Sequence, residues 1–479
     1  MTEKLLRIAA GFAATLLAVA NLNAAESARV FRAGAATSVI TPKLGTSING
    51  NMQDGTARHI HDELHARCLA LDDGTNKLVF VVADACMIPR EVFDEAKRLV
   101  ALEAGQAAPA MCMSATHTHS AGTSASVFQS EADMEYRAFL AVRIADGVRR
   151  ALNNLAPARI GWAVGKEPTQ VHNRRWFMKP GTKLPNPFGG EDRVKMNPGV
   201  ANPALLEPAG PIDPDVSILS VISTNGRPIA VFANYSLHYV GGTTGGAISA
   251  DYFGYYCERM KELLGARDQD PPFVALMSNG ASANINNINW PGPAAERKPP
   301  YEQMKFVANT VAAEAYKAWL GIKHADWAPL KSLEKEITLG VRKPAQEEVV
   351  RAKEIMSRAK TLPRMATQEE IYARETVQMA EYPPEVKCLL QAHRIGDMGF
   401  FAIPCEVFVE IGLELKQRSA PKPAFTISLA NGYNGYLPTP EHHALGGYET
   451  WRAKSSYLEV EASRKVVTAL MELAGQLGK

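Results

Sequence analysis

The chain has 479 residues, a formal net charge of +2, a hydrophobic fraction of 46% and a charged fraction of 21%. These values are ordinary for a soluble globular protein with a sizeable core. The sequence contains no basic run long enough to form a nucleic-acid groove, so nucleic acid is not expected as a partner.

The N-terminus has the pattern of a secretory signal peptide. Lys4 and Arg7 precede an apolar run over residues 8–20, and small alanines follow it. A basic start, a short apolar middle and a small-residue cleavage site are typical of exported precursors. The run is too short to span a bilayer, and no other segment predicts a transmembrane helix. We therefore predict that residues 1–25 are a cleaved signal peptide and that the mature chain, 26–479, is secreted or periplasmic.

Beyond residue 30, strand-like and helix-like patterns alternate along the chain. Apolar residues three and four positions apart predict helices at 90–103, 134–155, 251–264, 301–318 and 458–477, and two more within 343–381. Apolar β-rich runs flanking turn residues predict hairpins that pair 64–71 with 77–83, 216–222 with 229–234, and 386–394 with 400–403. The alternation favours one large mixed α/β domain in which loops at strand ends carry the functional residues.

One long segment lacks this regularity. Residues 164–212 are rich in Pro, Gly, Asn and Lys and show little periodicity. Long irregular loops in compact domains are usually functional or disordered, so we predict that this segment lies over a site.

The six cysteines give no sign of a cysteine-rich metal site. Their spacing is irregular and no C-x-x-C pattern occurs. An exported chain could oxidise some of them, but most fall in apolar strand-like stretches, so we expect buried free thiols. The cysteines are Cys68, Cys86, Cys112, Cys257, Cys388 and Cys405.

The sharpest local signal for chemistry is a pair of histidines two residues apart. His117 and His119 follow an apolar strand-like run and precede a Gly-containing loop. Residues i and i+2 of a strand point the same way, so both imidazoles are expected to face one cleft. Neutral imidazole is a common zinc ligand. His238 and Glu406 also follow predicted strands, but taken alone each is as compatible with a structural role as with a metal site.

An ordered series of motifs resembles the catalytic domain of the neutral, non-lysosomal ceramidases, which are zinc amidases that cleave the N-acyl bond of ceramide. The segment from Ser114 to Gly122 resembles the family's histidine motif most closely. The other matching segments are 36–42, 61–67, 82–84, 173–174, 232–238 with 249–251, 402–406, 431–436 and 447–449. The resemblance covers roughly residues 30–450 and implies a single mixed α/β catalytic domain. We expect this domain to lack the family's C-terminal immunoglobulin-like domain.

The resemblance also implies roles for individual residues. The zinc (Zn2+) ligands would be His117, His238, Glu406 and Tyr436. Residues that contact the substrate or transition state would be His119, Arg174, Tyr448 and, more weakly, Gly50. A zinc-activated water would attack an acyl carbonyl, His119 would shuttle protons, and Arg174 and Tyr448 would stabilise negative charge.

The chain departs from the family at the position of a serine with an assigned catalytic role. Asn284 occupies the serine position, and Ser282 lies two residues away. An amide cannot act as a comparable nucleophile, but it can donate a hydrogen bond to an oxyanion or a substrate hydroxyl. Asn284 is therefore a candidate catalytic residue and Ser282 a candidate substrate-binding residue. The alternative is that Asn284 only pins its loop.

Three functions remain open at this stage. The first is a zinc amidase acting on a ceramide-like, lipid-like substrate in sphingolipid metabolism. The second is a zinc hydrolase of the same scaffold acting on a non-lipid ester, lactone or carbohydrate derivative, because one scaffold hosts many functions. The third is a non-catalytic binding protein that keeps the metal as structure.

Overall fold

The computed structural model describes residues 29–293 and 298–478. The predicted signal peptide lies outside the described residues. The strands in chain order are β1 Arg32–Val39, β2 Ser47–Ile48, β3 Gly55–Thr56, β4 His59–Ile60, β5 His65–Asp72, β6 Lys77–Ala83, β7 Met111–Ala115, β8 Ala156–Lys166, β9 His172–Asn173, β10 Arg175–Met178, β11 Val194–Met196, β12 Leu205–Pro208, β13 Asp215–Ser223, β14 Pro228–Tyr235, β15 Ala247–Ile248, β16 Val274–Asn279, β17 Ile285–Asn286, β18 Leu330–Gly340, β19 Glu385–Ile395, β20 Met398–Ala402, β21 Glu406–Val407, β22 Ala424–Ile427 and β23 Tyr436–Leu437.

The α-helices alternate with these strands along the chain. In chain order they are α1 Arg90–Ala104, α2 Met134–Asn153, α3 Asp251–Leu263, α4 Glu302–Leu320, α5 Gln346–Ser357, α6 Gln368–Ala380, α7 Val409–Arg418, α8 Pro440–Leu445 and α9 Ala462–Leu477. Short 3₁₀ helices lie at Ala108–Ala110 and Tyr448–Thr450.

Two β-sheets form the framework. The larger has the strand order β16-β14-β13-β8-β1-β5-β6-β7, and the smaller has the order β18-β19-β20-β22. Apolar residues of both sheets share one buried cluster. Within it the ring centroids of Phe80 and Phe232 lie 5.3 Å and 6.2 Å from that of Phe400. Because a buried phenylalanine stabilises the fold by roughly 1.5–3 kcal/mol, this aromatic contact is a main reason that the sheets stay together.

Helices cover the outer faces of both sheets. The helices α1 and α2 pack on β1, β5 and β6, and α3 and α4 pack on β8, β13 and β16. On the smaller sheet α9 lies against β18 and β19, and α7 lies against β22. The result is one mixed α/β domain with two sheets between helical layers, and it confirms the predicted fold class.

Helix α2 shows how local sequence fixes a loop near the candidate site. The Asp133 side chain caps the helix by accepting a hydrogen bond from the Tyr136 amide at 3.0 Å. Tyr136 is buried and donates to the carbonyl of Ile40 at 2.8 Å. A Cβ atom on Gly122 would lie only 2.7 Å from the Tyr136 ring, so the loop after β7 depends on glycine there.

The three predicted hairpins are present as β5–β6, β13–β14 and β19–β20. The irregular segment 164–212 was predicted less well, because it contains a three-stranded sheet, β11-β10-β12. The strands of that sheet are only three or four residues long, too short to show a clear period. Strand β18 was missed because charged and half-exposed residues interrupt its apolar alternation.

A buried ion pair stabilises the end of the sheet that carries the histidine loop. The Arg67 guanidinium lies 2.5 Å from the Asp84 carboxylate, and both side chains are almost completely buried. Asp84 also accepts a hydrogen bond from the amide of His65 at 2.9 Å. It immediately follows β6, beside the backbone on which the histidine loop rests.

We expect Asp84→Ala to lower the free energy of unfolding by about 3–5 kcal/mol, because it leaves the Arg67 charge buried without its partner. Denaturant unfolding followed by circular dichroism measures the effect. The matched control is Glu472→Ala, which removes an exposed pair with Lys335 and should cost less than about 1 kcal/mol. Equal losses in the two variants would contradict the prediction.

Candidate metal centre and active site

The two motif histidines lie on a loop held against the strand before them. The loop amides of Thr116 and His117 donate to the carbonyls of Ala83 and Ala85 at 2.9 Å and 2.8 Å. His117 has a φ of 78°, a conformation that costs a residue with a side chain free energy. The Nε2 atoms of His117 and His119 nevertheless lie 3.3 Å apart. Both rings therefore face one point as predicted, but a strained loop places them there rather than strand alternation.

Three ligand atoms from distant parts of the chain converge at this point. The Nε2 atom of His117 lies 3.1 Å from Nε2 of His238 and 3.2 Å from Oε2 of Glu406. His238 follows β14, and Glu406 begins β21. All three side chains are at most 5% exposed. The structure thus assembles three of the four residues that the resemblance assigns to the metal.

The hydrogen bonds around these atoms make the centre suitable for a cation. The Nδ1 atom of His117 faces the Cys86 carbonyl at 2.7 Å, and Nδ1 of His238 faces the Ser282 carbonyl at 3.2 Å. A carbonyl can only accept, so each Nδ1 carries the proton and each Nε2 presents a lone pair. Oε2 of Glu406 is buried without a hydrogen-bond partner. Two imidazole lone pairs and a carboxylate oxygen at these distances repel one another unless a cation lies between them, so the residues fit a metal ion.

The titration of the metal-free centre agrees with this reading. Burial acts to lower the pKa of His117, but Glu406 and Cys86 together outweigh it, so the pKa lies well above its ordinary value. Burial and the charges of neighbouring cations lower the pKa values of His119 and His238 well below the ordinary value. Without a metal, a protonated His117 would therefore lie beside Glu406, in the place that a metal cation would take.

Cys86 forms a second possible group with the two motif histidines. Its sulfur lies 3.8 Å from Nδ1 of His117, the nitrogen already committed to a carbonyl. Burial raises the pKa of the Cys86 thiol, whereas a metal requires the thiolate. The group made by His117, His238 and Glu406 is the better metal centre on both grounds.

Tyr436 reaches the centre through a strand pair. Strands β21 and β23 are parallel neighbours, and Glu406 pairs directly with Tyr436. The hydroxyl of Tyr436 accepts a hydrogen bond from Nη2 of Arg174 at 3.2 Å. Burial, and then the charge of Glu406, raises the pKa of Tyr436 well above its ordinary value. Its assignment as a fourth ligand remains a prediction, and a protonated donor beside the metal is the other role that this geometry allows.

Arg174 is held in the site by a buried carboxylate. Its Nε donates to Oε1 of Glu449 at 3.2 Å, and Arg175 donates to Oε2 of the same carboxylate at 2.8 Å. Glu449 is completely buried. The backbone amide of Arg174 donates to the carbonyl of Asn284 at 2.9 Å, next to the β9–β17 pair. The side chain and the backbone of Arg174 are thus each held by a hydrogen bond.

His119 lies between a glycine and an aromatic ring. Its ring stacks on Tyr239 with centroids 3.6 Å apart. A Cβ atom on Gly50, whose φ is 105°, would lie 2.4 Å from the His119 ring. Only glycine fits at this position, so Gly50 is explained here by close packing on His119 as well as by the predicted approach to the substrate.

These side chains line a cleft of about 520 Å³. Its base contains His119, Arg174, His238, Tyr436 and Tyr448. The rest of the lining is Gly50, Asn51, Met52, Leu184, Pro185, Asp192, Val194, Lys195, Met196, Asn197, Tyr239, Gln368, Gly447 and Trp451. Eight of the lining residues, Arg174 among them, come from the irregular segment 164–212, which lies over the site as the sequence predicts.

Asn284 and Ser282 are placed differently. The Asn284 amide donates to the carboxylate of Glu410 and accepts from the amide of Val409 at 2.9 Å, at the start of α7. The hydroxyl of Ser282 donates to Asn279 at 2.6 Å. Neither Asn284 nor Ser282 is among the described residues that line the cleft. The geometry favours the loop-pinning alternative for Asn284 and gives Ser282 a role through its carbonyl, which orients His238.

Three further residues support the site and were not predicted. Glu449 fixes Arg174, Tyr239 supports His119, and the Tyr433 hydroxyl donates to Oε1 of Glu406 at 3.2 Å. All three stand within or beside the matched motifs. Their proximity to predicted residues was a usable signal, but the contacts they make depend on chain folding that the motifs do not describe.

The fold matches those of solved ceramidases. A ceramidase complexed with C2 has a TM-score of 0.71 and 18% sequence identity, over 94% of this chain and 75% of that chain. Neutral ceramidase from Pseudomonas aeruginosa has a TM-score of 0.70 and 18% identity, over 94% of this chain and 74% of that chain. No protein-family model and no curated protein sequence matches the chain. The predicted likeness to the neutral ceramidase fold is therefore confirmed.

We expect His117→Ala, His238→Ala and Glu406→Gln each to reduce bound zinc from about one ion per chain to near zero, because each removes one of the converging ligand atoms. Elemental analysis of zinc-loaded, dialysed protein measures this. The control is His324→Ala, which alters a half-buried histidine that is hydrogen-bonded to Ser220 and lies outside the described lining of the cleft. Full zinc retention in His117→Ala would show that the centre lies elsewhere.

Proposed function

We propose that this chain is a zinc-dependent hydrolase that cleaves an acyl bond, with an N-acyl amide as its substrate. The observation that carries the proposal is the convergence of His117, His238 and Glu406 at the base of a cleft, with His119 and Arg174 beside them. The likeness to solved ceramidases supports an amide as the bond that is cleaved.

Zinc suits the donor set, because two imidazoles and one carboxylate are a common set of protein ligands in catalytic zinc sites. A bound zinc ion would supply Lewis acidity and lower the pKa of a water molecule to about 7. The chain orients the ligands itself, through the carbonyls of Cys86 and Ser282 and the hydroxyl of Tyr433.

His119 is the proposed proton shuttle. Burial keeps its imidazole neutral, so it can accept a proton from the attacking water and return it to the leaving amine. Stacking on Tyr239 and contact with Gly50 hold the ring in one orientation. A fixed, neutral imidazole beside the carbonyl is the arrangement that general acid–base catalysis requires.

Arg174, Tyr436 and Tyr448 are the proposed stabilisers of negative charge on the carbonyl oxygen. Arg174 carries a permanent charge in a nearly buried position, and it already donates to Tyr436. Burial also keeps the hydroxyls of Tyr436 and Tyr448 protonated. Fixed donors in a site shielded from water stabilise a developing oxyanion more strongly than donors in water do.

A second candidate is a zinc hydrolase for a non-lipid ester, lactone or carbohydrate derivative. The specific observation in its favour is the cleft wall, which mixes polar groups such as Asn51, Lys195, Asn197 and Gln368 with the apolar ones. A purely apolar tunnel would instead suit a long acyl chain. The third candidate, a non-catalytic metal protein, leaves the positions of His119 and Arg174 unexplained.

The proposal includes export of the mature chain to the periplasm or the exterior, as the N-terminal sequence pattern predicts. In the part of the chain that the structure describes, none of the helices is long and apolar enough to cross a membrane.

The proposed activity predicts dependence on both zinc and Arg174. Hydrolysis of short acyl amides and esters by the zinc-loaded protein should stop on chelation and return with zinc. Arg174→Gln should lower kcat by about 10²–10³-fold with little change in KM, because the lost donor acts mainly on the transition state. The surface variant Arg159→Gln is the control. No hydrolysis of any acyl substrate by zinc-loaded protein would refute the proposal.

We further predict that catalysis does not pass through an acyl-enzyme on Ser282. Ser282→Ala should keep most of the activity, because the hydroxyl donates to Asn279 and the carbonyl that orients His238 is retained. Kinetics of the variant and intact mass spectrometry during turnover test this. Near-complete loss of activity, or a covalent adduct on Ser282, would refute it.

A further inference from the structure

One wall of the cleft comes from a segment that matches none of the motifs of the resemblance. Strand β11 supplies Val194, Lys195 and Met196 to this wall. Lys195 pairs with Trp176 on β10, the strand that begins directly after Arg174. The lysine is therefore held by a short sheet on the same side of the cleft as the catalytic arginine.

One cation of the cleft wall has no direct partner among the described side chains. Within residues 29–293 and 298–478, Lys195 has neither an ion pair nor a side-chain hydrogen bond. Asp192 is the one carboxylate among the described lining residues. Its oxygens are committed to the Gly447 amide and the Trp451 indole, each at 2.8 Å, and to the Asn186 amide at 3.1 Å. An unpaired cation thus remains on the wall.

The arginine pair is offset by two carboxylates. Arg174 and Arg175 share the carboxylate of Glu449. The Glu406 carboxylate also acts on Arg174, so the excess positive charge at this end of the cleft would come from the metal cation that the centre holds. A cleft lined by one sign of charge concentrates ligands of the opposite sign.

Apolar side chains occupy other parts of the same lining. Met52, Leu184 and Trp451 contribute apolar atoms to the lining of the cleft. A cleft of about 520 Å³ suits a small ligand with one apolar and one charged part. The acyl half would contact these residues and the charged half would reach Lys195.

We propose, resting on the hydrolase function above, that the substrate is an N-acylated amide whose amine half carries a carboxylate, and that Lys195 binds this carboxylate. Water adds to the acyl carbonyl, the C–N bond breaks, and the proton from water passes to the amine. The products are a carboxylic acid and an amino acid. Lys195 is a specificity-determining residue in this scheme and takes no part in bond cleavage.

The test compares two probes that differ at one terminal group, the anionic N-hexanoylglycine and the neutral N-hexanoylglycinamide. Release of hexanoate is measured, so that only cleavage of the N-acyl bond is counted. Wild-type zinc-loaded protein should hydrolyse the anionic probe with the higher kcat/KM. Lys195→Met should lower the ratio of anionic to neutral kcat/KM by about two- to fivefold, the scale of one partly exposed ion pair. Lys195→Arg should restore most of the ratio. Lys179→Met, in the same segment but outside the described lining, is the matched control.

Binding measured by calorimetry separates this proposal from the hydrolase function. If neither probe is cleaved, N-hexanoylglycine should still bind wild type about fivefold more tightly than Lys195→Met, with the preference shrinking in high salt. Cleavage of both probes with an unchanged ratio in Lys195→Met would overturn the carboxylate proposal and leave the hydrolase intact. Equal binding to wild type and Lys195→Met would overturn it as well.

Discussion

The candidate site depends on the repulsion among three ligand atoms that the fold forces together. Nε2 of His117 and His238 and Oε2 of Glu406 lie within a few ångströms of one another in a nearly dry environment. Carbonyl acceptors behind each imidazole fix the tautomer that presents lone pairs inward. A positive charge relieves that repulsion, either a bound metal cation or the proton that Glu406 favours on His117. The strands and loops around the centre therefore hold the three ligand atoms at distances that are unfavourable without a positive charge between them.

That support comes from both sheets at once. His117 follows β7 and His238 follows β14, both in the larger sheet, whereas Glu406 follows β20 of the smaller one. The aromatic contacts between the sheets thus also set the distance between the ligands. A core change that lets the sheets slide would separate ligand atoms without touching any of them, since packed interiors transmit small displacements.

The sequence predicted the architecture and the convergence of the ligands, but not the mechanical reasons for either. The hairpins were visible because their strands are apolar and their turns contain glycine, whereas β18 and the short strands of the irregular segment were not.

His117 and His119 were expected to face one way through strand alternation, yet His117 has a φ of 78° on a loop. Glu449 was not predicted as a support because its partners, Arg174 and Arg175, lie more than 270 residues away. Such contacts depend on how distant loops pack, which no local pattern describes. Gly50 shows the same limit, because its need for glycine follows from the ring of His119 beside it.

The candidate metal ligands lie at strand ends, whereas the wall with Lys195 belongs to the irregular segment. This separation bears on which substrate the cleft accepts. The candidate ligands His117, His238, Glu406 and Tyr436 lie in or directly after strands of the matched motifs, so their positions follow from the fold shared with the ceramidases. The wall that contains Lys195 belongs to a segment outside those motifs. A scaffold can keep its central residues while a loop changes what reaches them. Under the proposed function, the centre would act on the acyl carbonyl and the wall on the rest of the molecule. Asp192 attaches this wall to a neighbouring loop, because its carboxylate accepts hydrogen bonds from the Gly447 amide and the Trp451 indole. The same loop carries Tyr448 and Glu449. Because Glu449 in turn holds Arg174, one loop joins the wall to the arginine that we propose as a stabiliser of the transition state.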